Sequence, residues 1–259
     1  MTIKEIPLLI NGEKVRSNTD TWLDVLNPAT QEVVARVPMA TKEEVAAAVA
    51  SAAEAFKTWS KVSLTNRMRI MLTFQQLVRE HTQELAELVT LEHGKTLPDA
   101  EGEVGRSLEA IENACSITRL QLGEMANNAA TGVDTYTLNK PLGVGLGITA
   151  FNFPLMLASF MFPPAIACGN TFILKPSEQA PSSTILLVEL ALKAGIPAGV
   201  INVVHGGPDV VNQLIEAEPV KAVSFIGSTG VGTHVYNHAT KHGKRAQAMM
   251  GAKNHMVIM

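Results

Sequence analysis

Cysteine is scarce and charge is sparse in this chain of 259 residues. Only two cysteines occur, Cys115 and Cys168, and their neighbours are small or apolar. Such thiols are typical of a buried core in a reducing compartment, and they indicate neither a disulfide framework nor a metal site. Charged residues make up 17% of the chain. Average soluble proteins have roughly 25%, so the low value predicts much buried surface, including surface at subunit contacts.

The sequence also lacks any basic cluster. It has 21 basic and 24 acidic residues and a net charge of -3. This balance favours neither a nucleic-acid partner nor a membrane-surface partner. Lys4 and Glu5 interrupt the start, and no apolar stretch of a secretory signal follows them. We therefore expect a protein of the bacterial cytoplasm or of an organelle matrix that is not secreted.

Residues 141–174 carry no charge and are long enough to cross a bilayer. Pro154, Pro163 and Pro164, four glycines and two asparagines interrupt this stretch, however. It is therefore predicted to form a strand, a loop, a helix and a second strand inside a buried core, and not a membrane span.

The order of predicted elements indicates an α/β fold. Asn11-Gly12 predicts a hairpin turn, and Thr41 with Glu44 forms a capping box before a helix at 41–57. Two long helices are predicted at about 66–93 and 99–120. Beyond residue 143, short apolar strands alternate with helices at 155–168, 182–194, 209–217 and 230–241. This alternation predicts a Rossmann-like, doubly wound parallel sheet, whose ligands bind at the carboxyl ends of the strands.

Two segments are predicted to be strands without a partner in the rest of the sequence. The alternating run VDTYTLNK, at 133–140, predicts an exposed strand in an arm that leaves the body. Such an arm favours assembly into a dimer or tetramer. The apolar run 256–259 is interpreted as a strand without a closing turn, so we expect the chain to be the front part of a longer protein.

Polar residues follow three of the predicted strands. Asn152, in ITAFNFP, has an amide that can donate to a developing oxyanion, although a lone Asn in a turn more often bonds its own backbone. Lys175 can reach a ribose hydroxyl or a phosphate, and Ser177 and Glu178 can bind a ribose. A solvated Lys and a capping Ser are the simpler interpretation. Ser228 opens a helix whose free N–H groups suit a pyrophosphate, unless it is an ordinary N-cap.

These segments together resemble the aldehyde dehydrogenase superfamily over nearly the whole chain. The matching motifs are LNPAT at 26–30, FNFP at 151–154, ACGNTFILKPSE at 167–178, AGIPAGVINVVHG at 194–206 and FIGSTGVG at 225–232. The resemblance implies a discontinuous NAD-binding domain at 1–120 and 142–259, with an oligomerisation hairpin at 121–141. It also implies a catalytic domain beyond residue 259 that carries the nucleophilic cysteine, a role that neither cysteine of this chain takes.

The resemblance further implies roles for individual residues. Asn152 is expected to stabilise the oxyanion. The residues expected to line the NAD site are Thr149, Phe151, Lys175, Ser177, Glu178, Gln179, Ser228 and Met250.

The segment around Met249 and GAKNH, at 251–255, resembles the methylmalonate-semialdehyde dehydrogenase subgroup. Most of the superfamily has a glutamate where Met249 stands, and that glutamate activates water. A methionine accepts no proton, so release of the acyl group to coenzyme A is expected, since a thiol needs less activation than water. The segment 103–115 also resembles this subgroup, in which Arg106 would hold the carboxylate of a small aldehyde substrate. A surface Arg on a helix is the alternative interpretation.

Two other functions stay open at this point. The whole protein could be a hydrolytic NAD-dependent aldehyde dehydrogenase with another base and another substrate. The chain could also be a non-catalytic nucleotide-binding module if it naturally ends at residue 259.

His234, His238 and His242 have i, i+4 spacing, but no acidic residue joins them in HVYNHATKHGKR. They are interpreted as a solvated helix face, and no metal site is predicted.

Overall fold

The computed structural model describes residues 3–252 and 254–259, and it contains two sheets, a separate hairpin and nine helices within those ranges. The first half of the chain contains β1 (Lys4–Glu5), β2 (Leu8–Ile10), β3 (Glu13–Val15), β4 (Trp22–Leu26), β5 (Val33–Pro38), α1 (Lys42–Trp59), α2 (Leu64–Glu80), α3 (Thr82–His93), α4 (Leu97–Cys115), α5 (Ile117–Leu120), β6 (Met125–Ala130) and β7 (Val133–Tyr136). The second half contains β8 (Val144–Ile148), α6 (Pro154–Ala167), β9 (Thr171–Lys175), α7 (Ser182–Lys193), β10 (Ile201–Val203), α8 (Pro208–Glu216), β11 (Val220–Ile226), α9 (Thr229–Lys241) and β12 (Arg245–Met249).

The main sheet has seven strands in the order β12-β11-β8-β9-β10-β2-β3. The five strands from β12 to β10 are parallel, and a helix connects each consecutive pair of them along the chain. The antiparallel hairpin β2-β3 extends the sheet beyond β10. The predicted doubly wound parallel sheet is therefore confirmed, with an N-terminal antiparallel edge.

The direction of winding reverses at β8. From there the chain adds β9 and β10 on one side and then returns to add β11 and β12 on the other. Loops that leave neighbouring strands in opposite directions open a crevice at their carboxyl ends, and ligands of such sheets bind there. The crevice lies between the ends of β8 and β11, next to Asn152 and Ser228.

Both local signals near the N-terminus are confirmed. Asn11 and Gly12 have φ values of 54° and 80°, as a two-residue hairpin loop of type I′ requires, and Ile10 pairs with Glu13 across it. The Thr41 side chain accepts from the backbone N–H of Glu44, and the Glu44 carboxylate accepts from the N–H of Thr41. This reciprocal capping box fixes the start of α1.

Two predicted helices are each broken in the structure. The helix expected over 66–93 divides at His81, whose φ of −105° and ψ of 19° are not helical. The helix expected over 99–120 divides at Ser116, whose Oγ donates to the carbonyl oxygen of Asn113 at 2.6 Å. Thr82 Oγ1 donates likewise to the carbonyl of Arg79 at 2.9 Å. Such side-chain bonds to the backbone compete with helix continuation, so apolar periodicity alone did not show the breaks.

The last predicted strand is absent. Residues 256–259 are exposed and adopt no regular structure, because no strand in the described ranges offers them a ladder of hydrogen bonds. Lys253 of the GAKNH motif lies outside the described residues.

At 121–141, β6 and β7 form an exposed antiparallel hairpin. In the described part of the chain, no helix is long and apolar enough to cross a bilayer.

Glu92 is a buried acid at the end of α3. Its carboxylate oxygen Oε2 accepts from the backbone N–H of Ser182 at 2.9 Å, at the start of α7. Burial raises the pKa of Glu92 from 4.5 to about 7, against the opposing effect of these Ser182 bonds. Because the folded-state pKa exceeds the unfolded value, the folded state binds this proton more tightly. The resulting stabilisation is complete below pH 4.5 and is lost as pH rises through 7.

Replacement of Glu92 by Gln should remove this pH dependence. Between pH 4.5 and pH 8, the wild type should lose about 3 kcal/mol more of its unfolding free energy than Glu92→Gln, since a pKa unit corresponds to about 1.4 kcal/mol. Urea denaturation at a series of pH values measures the difference. The exposed variant Glu54→Gln should follow the wild type. Parallel curves for Glu92→Gln and the wild type would contradict the assignment.

Candidate active site at the carboxyl edge of the sheet

The loop that follows β8 carries the candidate oxyanion donor. Thr149 is buried, whereas the neighbouring Asn152 is exposed. The backbone carbonyl of Asn152 accepts from Nζ of Lys95 at 3.1 Å, and the same ammonium lies 4.2 Å from the ring centroid of Phe153. The side-chain amide of Asn152 has no hydrogen-bond partner among the described residues, so it remains available to a ligand.

A buried carboxylate holds the end of this loop. Oε1 of Glu103 accepts from the backbone N–H groups of Leu155 and Met156 at 2.9 and 3.1 Å, in the first turn of α6. Its Oε2 accepts from Nζ of Lys95 at 2.5 Å. The Glu103 side chain has no exposed surface and that of Lys95 is 10% exposed. The carbonyl of Asn152 and the start of α6 are thereby fixed to α4 and the turn before it.

Lys175 ends β9 and is buried. Its ammonium donates to the carbonyl oxygen of Gly206 at 3.0 Å and forms an ion pair with Glu178. Ser177 is also buried, and its Oγ accepts from the N–H of Gln179 at 3.3 Å. Lys175 is therefore not the solvated surface lysine of the simpler interpretation. The structure brings its charge and the Glu178 carboxylate together beside the switch point.

Ser228 occupies the N-cap position of α9 with extended backbone geometry, but its side chain makes no capping bond. The first-turn N–H groups of α9 consequently keep their capacity to bind an anion, which the helix dipole favours. Met250 covers this turn, since a Cβ on Gly232 would lie 2.6 Å from Cγ of Met250. Ser228 and Met250 thus lie at the same helix start, and their binding of a shared ligand stays a prediction.

Phe151 and Gln179 line a separate small pocket of about 390 Å³. The Phe151 ring stacks on His93 with a centroid distance of 6.3 Å. Desolvation lowers the pKa of His93, with Lys95 as the next cause. This pocket adjoins the loop of Asn152 on the side away from Ser228 in the sheet order. The backbone N–H of Gln179 contacts Oγ of Ser177, so this pocket adjoins one of the other predicted cofactor residues.

Met249 ends β12 opposite Ile226, and its backbone carbonyl accepts from the N–H of Gly227 at 3.2 Å. The residue is 40% exposed, so a side chain at this position reaches the carboxyl edge of the sheet. Arg106 lies on the exposed surface of α4, where Nη1 donates to Glu109 at 2.6 Å. Its predicted contact with a substrate carboxylate stays a prediction.

The two cysteines and His205 show the chemistry of core residues. Burial raises the pKa of Cys115 to about 11, and it also raises the pKa of Cys168, so both are thiols near neutral pH. His205 is fully buried with Nε2 3.2 Å from the carbonyl oxygen of Pro7. Desolvation lowers its pKa to about 3 and keeps the imidazole neutral. These features agree with the core interpretation of the two cysteines, and they identify His205 as a structural residue.

Sequence reasoning missed Lys95 and Glu103. Both lie more than 45 residues before the loop that they hold, and although Glu103 begins the segment 103–115, the role implied for that segment belongs to Arg106. One signal was present in the sequence. The helix after FNFP begins with Pro154 and has no capping side chain of its own, so its free N–H groups needed a distant acceptor.

Comparison with known proteins identifies a family. The profile of the Aldehyde dehydrogenase family matches residues 14–259. An Arabidopsis thaliana protein named methylmalonate-semialdehyde dehydrogenase [acylating], mitochondrial, is 50% identical over 98% of this chain and 42% of its own length. The human methylmalonate-semialdehyde/malonate-semialdehyde dehydrogenase [acylating], mitochondrial, is 46% identical over 100% of this chain and 48% of its own length. The chain thus spans about half the length of these curated relatives.

Solved structures agree closely with the fold. A proposed methylmalonate-semialdehyde dehydrogenase from Sinorhizobium meliloti, complexed with NAD, superimposes with a TM-score of 0.95 at 44% identity, over 98% of this chain and 52% of that one. The methylmalonate-semialdehyde dehydrogenase of Oceanimonas doudoroffii gives a TM-score of 0.95 at 44% identity, over 97% and 51% of the two chains.

Glu103→Gln should destabilise the protein by about 3 kcal/mol, because it leaves the nearly buried Lys95 ammonium without its counter-charge. Urea denaturation at pH 7 measures the loss. Glu112→Gln removes the exposed ion pair with Arg79 and should leave stability nearly unchanged. An equal effect of the two substitutions would show that Glu103 does not support the loop through its charge.

Proposed function

Since the chain belongs to the aldehyde dehydrogenase family, we propose that it forms the NAD-binding part of a coenzyme A-acylating methylmalonate- or malonate-semialdehyde dehydrogenase. The reaction would convert the semialdehyde carboxylate, coenzyme A and NAD⁺ into propionyl- or acetyl-CoA, CO2 and NADH. The observation that carries the proposal is that the Asn152 loop, the Lys175–Glu178 pair and the α9 N-terminus follow the adjacent parallel strands β8, β9 and β11 at one edge of the sheet. The names of the relatives support the substrate class.

The residues at the switch point fit a dinucleotide. The α9 N-terminus offers uncapped N–H groups for a pyrophosphate, while Glu178, beside the Lys175 ammonium, offers acceptors for ribose hydroxyls. The buried Oγ1 of Thr149 has no partner among the described residues, which is costly unless a ligand satisfies it. NAD supplies the hydride acceptor when bound. We assign its binding to the eight predicted residues, of which Phe151 and Gln179 have the weakest geometric support.

Asn152 would stabilise charge on the reacting oxygen. Addition of a thiolate to an aldehyde carbon converts the carbonyl oxygen to an oxyanion, and an amide N–H aimed at that oxygen lowers the barrier. Lys95 holds the carbonyl of Asn152 and Glu103 holds the first turn of α6 that follows it, so the amide needs little reorganisation when charge develops. Arg106 would hold the substrate carboxylate if it exchanged its exposed Glu109 partner for that group.

Met249 supports acyl transfer to a thiol. The position is at the carboxyl edge of the sheet, and a thioether there accepts no proton from water. Coenzyme A carries a thiol, of which a few per cent is thiolate near neutral pH, so it can take the acyl group without a carboxylate base. We further propose that the β6–β7 hairpin joins subunits into a dimer or tetramer, because its strands leave the body and are exposed throughout.

Turnover of the whole protein should require coenzyme A. With methylmalonate semialdehyde and NAD, sustained NADH formation is expected only when coenzyme A is present, and mass spectrometry should detect propionyl-CoA. NADH is followed by absorbance. Equal turnover without coenzyme A, giving the free acid, would mean that water is activated by another group and would favour a hydrolytic enzyme.

Met249→Glu provides the matched test of that position. A carboxylate there should raise the share of free acid at limiting coenzyme A, while Met249→Gln, of similar size but without a base, should not. If both variants gave the same share of free acid, residue 249 would not determine whether water or coenzyme A takes the acyl group.

Asn152→Ala should lower kcat of the whole protein by about 100-fold or more, since the substitution removes an oxyanion donor. Asn152→Asp keeps the shape without the amide donor and should show a similar loss. NAD affinity, measured by calorimetry, should change little in both variants. Unchanged kcat would exclude Asn152 from the mechanism.

A further inference from the structure

The carboxyl ends of α8 and α9 bring one carboxylate and two imidazoles together. Glu216 ends α8, His238 lies in the last turn of α9, and His242 is the C-cap residue of α9. One potential ligand atom from each residue lies within 4.8 Å of the other two. The acidic residue that the sequence around the histidines lacks is thus supplied by the preceding helix, 22 residues before His238.

Hydrogen bonds orient the three side chains. Nε2 of His238 lies 3.0 Å from Oε1 of Glu216. Nδ1 of His242 lies 2.8 Å from the backbone carbonyl oxygen of His238. A carbonyl only accepts, so Nδ1 of His242 carries the hydrogen and its Nε2 presents a lone pair. Metal-ligating histidines are commonly held in this way, by a carbonyl acceptor on the other ring nitrogen.

The surroundings leave room for an ion. The side chain of His238 is 19% exposed and that of Glu216 is 53% exposed, so water can reach an open coordination position. The rings of His238 and His242 meet edge to face with centroids 4.6 Å apart. A cation on the segment that follows α9, Lys244, has its ammonium held by the carbonyl oxygen of Ala217 at 2.8 Å. Its charge weakens a cation site but does not occupy the Glu216 carboxylate.

We propose that Glu216, His238 and His242 form a binding site for a divalent transition-metal ion of the Zn²⁺ type. Two imidazole nitrogens and one carboxylate oxygen suit Zn²⁺, with water as the fourth ligand. Ca²⁺ and Mg²⁺ prefer all-oxygen sites and fit this set poorly. The ion ties the end of α8 to the end of α9. This site is distinct from the switch-point crevice, because α9 runs about 20 Å from Ser228 to His242.

Calorimetric titration of the purified protein with ZnCl2 at pH 7.5 tests the site. We expect one ion per chain with Kd in the micromolar range or below. Glu216→Gln, His238→Gln and His242→Gln should each weaken binding by about tenfold or more, as loss of a ligand must. His234→Gln is the matched control. It lies one turn earlier on α9, where its Nε2 contacts Oδ1 of Asn212 at 2.8 Å, and it should change Kd less than about threefold.

Thermal denaturation distinguishes loss of the metal site from misfolding of the variants. At about 100 times Kd, ZnCl2 should raise Tm of the wild type by about 5 °C, and the same addition should not change Tm of a folded His238→Gln/His242→Gln double variant. Two results would overturn the proposal. One is wild-type affinity no tighter than that of the double variant. The other is full stoichiometric binding by the double variant, which would locate the ion elsewhere on the chain.

Discussion

Two buried carboxylates replace the local caps that α6 and α7 lack, and the position of the candidate active site depends on them. Neither helix has a capping side chain at its own N-terminus. Glu103, from α4, accepts two N–H groups of α6, and Glu92, from α3, accepts the first N–H of α7. An unsatisfied buried N–H costs more than a formed bond contributes, so these contacts fix the helices after β8 and β9 relative to α3 and α4. The loops that connect β8 to α6 and β9 to α7 are therefore held in place as well.

The two carboxylates differ in what balances their charge. Glu103 has the Lys95 ammonium at 2.5 Å, and the same ammonium reaches the carbonyl of Asn152. Burial raises the pKa of Glu92, and the hydrogen bonds of Ser182 and a longer-range attraction to Lys4 do not offset it, so its proton binds near neutral pH. The loop that is expected to do chemistry is therefore held by a charge pair, whereas the helix beside it is held by a group that titrates. Because Lys95 holds Asn152 through its backbone carbonyl, the side-chain amide of Asn152 stays free for a ligand.

Local signals in the sequence predicted most of the fold, and long-range contacts account for what they missed. The hairpin at Asn11-Gly12 and the capping box at Thr41 are each decided within a few residues, and both are present. Asn152 and Ser228 could be placed at one edge because parallel strands end on the same side. The breaks at His81 and Ser116 follow from side-chain bonds that compete with the helix, which apolar periodicity does not record. Lys95, Glu103 and the approach of Glu216 to His238 depend on tertiary packing alone.

The roles proposed for this chain, binding of an anion and donation by an amide, suit groups that the fold holds rigidly. The proposed anion site lies at the uncapped start of α9, and the proposed amide donor lies in a loop whose carbonyl Lys95 holds, so both proposed functions rest on elements that need not move. Both cysteines are partly buried with raised pKa values, which makes each a poor nucleophile. Met249 lies on β12, the edge strand, where its side chain is partly exposed beside the crevice. Because that position has no proton acceptor, the proposed release of the acyl group needs a nucleophile that is reactive without a base. A thiol meets this condition and water does not, which links one residue of the edge strand to the choice of acyl acceptor.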